Sequence, residues 1–328
     1  MLAHSQPVFI DPTTDEGFKR LFGDKINLIN FLNIIFRGRK TITDLTYRDT
    51  ERIGATEEIG KVIFDLVVQI STGEEIIIEM QTSTQTNLKQ RMLYYASKVI
   101  SDTAPKGNRK AWAYAIPEVY TIVLMDGFHM PGGDRSTYFH DTCLCHRDSG
   151  QIFYEGLGFI YLEIINFVKS EAEVEDELDK VFFMLKNMST LKTLPRIMNS
   201  AVFQRFFQLA SYAKLTKEER TMYDISLKRK WDAEAVRMYQ QEQQKRLEGL
   251  EKQLKEAIRE AKKAEKEAKR VAITAKAEGK TQGKAEGLVE GEHKKSIETA
   301  LNFKKMGLPI ADIAKGTGLS IEEIEKLK

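Results

Sequence analysis

The sequence predicts an α/β core, a mixed β-sheet flanked by helices, followed by a helical, coiled-coil C-terminal extension. Three observations predict it. Residues 62–81 carry two apolar, β-branched runs around a short polar turn, the pattern of a β-hairpin. Strand-like and helix-like stretches alternate around that hairpin up to about residue 190. Beyond it the chain becomes charged, helical and heptad-patterned.

The elements follow in chain order. Asp11-Pro12-Thr13-Thr14 starts a first helix, with Asp15 and Glu16 placed to favour its dipole. Phe18, Leu21 and Phe22 form its apolar stripe and Gly23 stops it; residues 26–36 form a second, strongly apolar helix that ends near Gly38. The alternating stretch 41–52 suits a first strand.

The hairpin then reads V-I-F-D-L-V-V-Q-I, S-T-G, E-E-I-I-I-E-M-Q. Its runs are apolar on both faces, as in a central strand, where an unpaired carboxylate is costly. Asp65, Glu79 and Gln81 therefore need a reason to be there. If Ser71-Thr72-Gly73 is a three-residue loop with Gly73 left-handed, Ile70 pairs with Glu74 and Asp65 falls opposite Glu79. Gln81 shares their face and Met80 points away. Facing Cβ atoms lie about 4.5–5.5 Å apart, close enough for two carboxylates to share one divalent cation. A two-residue loop would put the two acids on opposite faces.

After a polar loop, residues 88–100 form a helix with Leu88, Met92, Tyr95 and Val99 inward, and Lys89, Arg91 and Lys98 outward toward any phosphate backbone. Residues 119–125 are a buried strand, 136–146 and 151–167 supply further strands, and an acid-rich helix spans 171–187. His140, Cys143, Cys145 and His146 lack the paired spacing of a structural zinc site, so no structural zinc is expected and the cysteines read as buried free thiols. Beyond Pro195 the chain is all-helical. Leu247, Leu250, Leu254, Ala257, Ala261, Ala264, Ala268, Val271 and Ala275 keep a 3-4 spacing, a heptad seam for helix pairing within the chain or for a homo-oligomer through residues 247–275. Gly279, Gly283, Gly287 and Gly291 suggest a softened linker. The last segment resembles a helix-turn-helix, but Glu322, Glu323 and Glu325 on its second helix would repel phosphates, which favours a role in packing or in binding a protein partner.

Composition excludes several classes. A formal net charge of +2 announces no global affinity for nucleic acid, so any such site is a local patch. Two cysteines argue against a disulfide framework; with no signal peptide and no spanning apolar run, a cytoplasmic protein without a membrane role is expected. Gly-rich phosphate loops, G-x-S-x-G elbows and H-E-x-x-H helices are lacking.

An Asp, a hairpin and then Glu-x-Gln resembles the PD-(D/E)XK nuclease core. I-D-P-T-T-D-E-G-F-K-R-L-F-G (10–23), Q-R-M-L-Y-Y-A-S (90–97) and Y-L-E-I-I-N-F with its following acidic helix (161–185) are similar to one branch of it, the PD-(D/E)XK family transposases or recombination-promoting nucleases. This resemblance implies a restriction-endonuclease-like fold and a metal-dependent DNA endonuclease, a hydrolase linked to DNA recombination. It implies Mg²⁺ or Mn²⁺ held by Asp65, Glu79 and the Met80 carbonyl, with Gln81 as the third catalytic position. Many relatives of the wider fold have Lys where Gln81 stands; Lys61 or Lys89 is then a candidate for the missing charge, Asp15 or Glu16 for an accessory acid, and Lys19, Lys61, Lys89 and Arg91 for DNA contacts. Two alternatives stand beside this reading: a catalytically silent member that binds or oligomerises through its helical half, and a DNA-binding regulator. The expected organisation is a nuclease-like domain at 1–190, a helical region at 191–278, a Gly-periodic linker at 279–295 and a small helical tail at 296–328.

Overall fold

A computed structural model describes residues 7–52, 62–83, 85–103 and 113–328. The chain divides into two compact units, residues 1–241 and 242–328. The first unit therefore extends about fifty residues past the expected boundary at 190.

Six strands form the central sheet in the order β1-β4-β5-β6-β8-β7: β1 (Leu45–Tyr47), β4 (Leu66–Ile70), β5 (Glu75–Gln81), β6 (Val119–Met125), β7 (Phe139–Cys145) and β8 (Ile152–Glu163). Strands β5, β6 and β8 are parallel; β1, β4 and β7 run antiparallel to their neighbours, so the sheet is mixed. Only three residues of the 41–52 stretch join this sheet. Glu51–Arg52 (β2) pairs instead with Val62–Ile63 (β3) in a separate two-stranded ribbon.

Strand alternation sorts the core into two clusters. Ile76, Ile78, Ile122, Leu124, Ile160 and Leu162 face one side, where they pack with α1 (Asp15–Phe22), α2 (Lys25–Phe36), α4 (Glu177–Asn187) and α5 (Ala201–Ala210). Val67, Ile77, Val123 and Met125 face the other side, covered by Leu88, Met92, Tyr95, Ala96 and Val99 of α3 (Leu88–Asp102). Thr14 caps α1 by accepting the Gly17 N–H, and Asp24 caps α2 through Asn27 N–H.

The long helix α6 (Lys217–Lys305) begins in the first unit. Its Tyr223 is buried and its hydroxyl accepts the Asp11 N–H at 2.8 Å; Glu219 pairs with Arg20 at 2.6 Å. Nothing in a charged, amphipathic stretch announced those long-range contacts. The helix is also uninterrupted across Gly279, Gly283, Gly287 and Gly291, where a linker was expected. An added Cβ at any of the four would meet open space, so the glycines create no close packing within the chain. Leu247, Leu250, Leu254 and Val271 of the heptad seam are exposed.

In the second unit, α7 (Ile310–Thr317) and α8 (Ile321–Lys326) close around Ala300, Ile313, Leu319 and Ile324. Ser320 and Glu323 form a capping box, Gly318 ends α7 in the left-handed region, and Lys304 Nζ donates to the carbonyls of Ile324 and Leu327. Ile321, at the start of α8, is exposed.

Candidate active site

The hairpin has the three-residue loop. Gly73 lies at φ +104°, Gly73 N–H donates to Ile70 O, and Ile70 N–H donates to Glu74 O. The register continues through Gln69↔Glu75 to Leu66↔Ile78, which places Asp65 opposite Glu79. The first strand, however, is not continuous. It breaks at Phe64–Asp65, where the pairing passes from the small ribbon to the main sheet. Side chains replace the missing ladder bonds: Asp65 Oδ2 accepts the Met80 N–H at 2.8 Å, and Glu79 Oε1 accepts the Asp65 N–H at 3.2 Å.

Both acids are poorly solvated. Glu79 is 1 % exposed. Burial first, and then the neighbouring Asp65 charge, push its carboxyl up to about 8. Burial likewise raises Asp65, opposed by the Met80 N–H and reinforced by the charge of Asp15. Two carboxylates so placed resist carrying two charges at once.

Cations lie close without neutralising them. Arg91 Nη2 stands 4.0 Å from Glu79 Oε2, and Arg91 Nη1 donates to Gln81 Oε1 at 3.3 Å and to Gln85 Oε1 at 2.9 Å. Its Nε donates to the Tyr95 hydroxyl at 2.7 Å, with the guanidinium 5.0 Å from that ring's centre. Arg91 was expected to point outward; it turns inward because Tyr95, four residues on, holds it along one helix face. Gln81 in turn donates through Nε2 to Glu79 Oε2 at 3.1 Å. Arg91 was read from the sequence as a DNA contact, not as a partner of Gln81 and Glu79, and Gln85 was not foreseen; the i, i+4 spacing of Arg91 and Tyr95 was a usable signal.

The remaining candidates separate. Asp15 and Lys19 form an i, i+4 ion pair at 2.9 Å, which raises the Lys19 ammonium; Asp15 and Lys19 are both felt electrostatically by Asp65. Glu16 faces elsewhere: its N–H donates to Ser226 Oγ, and it lines a cavity with Arg20 and Tyr223. Lys89 lines a different cavity, between α3 and the β7–β8 edge, and makes no contact with the two acids. Lys61 lies outside the described residues. Cys143 is half-buried and Cys145 exposed, contrary to the buried-thiol expectation; a bulge in the outermost strand turns them outward with their sulfurs 3.7 Å apart. Tyr94 is exposed as well.

Two further polar clusters were not foreseen. Lys230 of α6 lies between Asp11 at 2.8 Å and Asp126 at 2.7 Å, and bonds Thr13. Glu163, at the end of β8, is held by the Met130 N–H and Asn166 Nδ2 and pairs with His140 Nε2 at 2.7 Å. Among the described residues, no group of three or more His, Cys, Asp or Glu is placed to hold a metal ion, and no helix is long and apolar enough to cross a membrane.

No curated protein and no solved structure matches the chain. The family model for PD-(D/E)XK nuclease family transposases matches residues 12–240. That span runs from the entry to α1 through the part of α6 that packs on the core, the whole of the first compact unit bar its ends. It covers well over half the sequence and includes Asp65, Glu79 and Gln81, and the chain therefore belongs to the PD-(D/E)XK nuclease family transposases.

Proposed function

We propose that the protein is a divalent-metal-dependent DNA endonuclease, with Asp65 and Glu79 as the acids that hold the ion. The observation that carries this reading is an imbalance: a buried Glu79 and a half-buried Asp65 face each other, and among the described residues the only cation within ion-pair distance of either is Arg91, at 4.0 Å from Glu79. Without a cation, the pair keeps a proton on Glu79 at neutral pH. A small, hard dication would relieve both the burial and the repulsion.

The donor set fits such an ion. Mg²⁺ is commonly held by one or two carboxylates, with water and substrate phosphate completing the shell, so the absence of a third acidic ligand among the described residues is consistent with it. Mn²⁺ meets the same oxygen donors. The Met80 N–H points toward Asp65, and within a strand a residue's N–H and C=O face the same neighbour, so the Met80 carbonyl is the available third protein ligand. The bound ion would polarise the scissile phosphoryl group and acidify the attacking water.

The protein groups have separate tasks. Asp65 and Glu79 fix the ion's position; Glu79 also accepts the Asp65 N–H and Asp65 the Met80 N–H, which ties the two strands together. Gln81 carries no charge of its own; its carbonyl oxygen accepts from Arg91 while its amide donates toward Glu79. Arg91 therefore supplies the positive charge that a lysine at position 81 would otherwise bring, placed to offset charge developing on phosphate oxygens. Asp15, through its effect on Asp65, is the accessory acid; Lys19 and Lys89 are candidates for backbone phosphates.

Nicking of supercoiled plasmid by the full-length protein tests this. Cleavage is expected with Mg²⁺ or Mn²⁺, to vanish in EDTA, and to vanish in Asp65→Asn and Glu79→Gln. Metal-independent cleavage, or full activity in both variants, would overturn it. A second reading, association through the helical half, is favoured by the exposed Leu247, Leu250, Leu254 and Val271: pairing two copies through residues 247–275 would cover that seam. Sedimentation of the full chain against Leu250→Lys decides it, a dimer that becomes monomeric being the expected result.

A further inference from the structure

The cavity of about 620 Å³ between α3 and the β7–β8 edge plays no part in the metal site, yet it has the makings of a binding site. Its walls include Leu93, Met130, Leu144 and Phe159, and its polar members are Lys89, His140 and Tyr161 with Asp134, Thr137 and Thr142. Asp134 is engaged at the rim by the Ser136 N–H and hydroxyl and by Thr137.

Two polar groups of the cavity lack a protein partner among the described residues. Tyr161 is only 5 % exposed, and its hydroxyl has no hydrogen-bond partner among the described residues. That hydroxyl is not sealed from solvent: it opens onto the cavity, where it is free to bond a ligand. His140 is fixed through Nε2 by Glu163, which leaves Nδ1 as the ring nitrogen without a partner among the described residues. Burial pushes the Tyr161 phenol up to about 12, which keeps it a donor.

Strand register ties this cavity to the acids. Glu79 pairs with Val123, Val123 with Tyr161, and Tyr161 with His140. Residues opposite one another project from the same face, so Asp65, Glu79, Val123, Tyr161 and His140 form one row across the sheet. Tyr161 is two strand spacings from Glu79, about 10 Å. Val123 lies under α3, and the first turn of that helix divides the row: Arg91 reaches toward Glu79 and Gln81, while Lys89 lines the cavity. Asn87 makes no side-chain cap there, so the turn presents its amides and its positive dipole end.

We infer that this cavity takes one nucleotide unit, an aromatic base against Phe159 and Tyr161 with its phosphate at Lys89 and the first turn of α3. Its volume suits a ligand of that size, its walls suit a π-face, and its unpaired groups suit the polar edge of a base. The location beside a scissile phosphate rests on the nuclease reading above. The nucleotide comes either from the strand being cut, unstacked next to the cleavage position, or from solution.

The test uses the full chain in EDTA, so cleavage does not enter. Deoxynucleoside monophosphates are titrated directly by calorimetry, and a labelled single-stranded oligonucleotide by fluorescence anisotropy. Monophosphates are expected to bind. Tyr161→Phe, which keeps the ring, is expected to weaken binding about three- to tenfold. Leu93→Trp, at a half-exposed helix position that tolerates bulk, is expected to fill the cavity and abolish it. Competition between monophosphate and oligonucleotide assigns the nucleotide to the strand, and its absence assigns it to solution; either supports the site. No monophosphate binding at millimolar concentration, or binding that Leu93→Trp leaves unchanged, overturns it. A protein that cleaves DNA but ignores monophosphates loses this inference alone, whereas one that binds them but never cleaves loses the nuclease reading instead.

Discussion

Two pairs of acids stand near the same end of the sheet, and they are treated in opposite ways. Asp11 and Asp126 share Lys230, whose ammonium lies within 2.8 Å of both, and Thr13 completes the cluster. Among the described residues Asp65 and Glu79 have no such shared lysine; the Arg91 guanidinium stands 4.0 Å from Glu79. One pair is neutralised by the chain and serves to hold α6 against the core. The other is left short of positive charge, with Glu79 pushed up to about 8. One cluster places a lysine between its two carboxylates; in the other, no described lysine lies between them, and the proposed ion would take that place.

The sharpest way to break this comparison is to remove an acid from the open pair and the shared cation from the other. Asp65→Ala is expected to lower plasmid nicking by about 10³-fold, about 4 kcal/mol of transition-state stabilisation, with little loss of fold, as read by cleavage rate and far-UV dichroism. Lys230→Met does the reverse: two acids lose their shared cation, and a loss of about 3 kcal/mol in urea unfolding is expected. If Lys230→Met left stability unchanged, the triad would not be the anchor described.

A third prediction follows from linkage. Glu79 titrates near 8 in the folded chain, well above an unfolded glutamate near 4.5. Between those values the folded state holds the extra proton, so this group lowers stability progressively as pH rises from about 4.5, and the loss is complete above about 8. Glu79→Gln is therefore expected to raise the metal-free unfolding free energy at pH 8.5 by about 2 kcal/mol, as read by urea unfolding, and to leave it nearly unchanged at pH 4.5. The opposite pH dependence would contradict a proton-holding Glu79.

The smallest expected effect comes from giving the open pair a cation. Gln81→Lys puts an ammonium beside Glu79 and should draw its carboxyl down, shifting the pH–rate profile by about one unit toward acid. An unshifted profile would mean that position 81 does not feel Glu79.

Legibility in the sequence tracked the range of the interactions. The facing of Asp65 and Glu79 could be read because loop length and Gly73 fix register locally. Thr14 was readable within a helix start for the same reason. The Lys230 cluster joins residues more than two hundred positions apart and looks, in sequence, like one more charge in a charged helix. The break at Phe64–Asp65 was hidden because side chains, not strand pattern, take over the backbone hydrogen bonds there. The glycines at 279–291 misled by propensity: four glycines lower helix stability, but the surrounding Ala, Glu and Lys keep the run helical. His140 and Glu163 came together only through strand order, since β7 and β8 pair at the sheet edge.

The most direct test of the central claim is calorimetric titration of the full-length protein with Mg²⁺ near pH 7, repeated in two buffers of different ionisation enthalpy. One ion is expected to bind with release of close to one proton, the proton held by Glu79, and both binding and proton release should disappear in Asp65→Asn. Binding without proton release, or binding that survives in Asp65→Asn, would contradict the account.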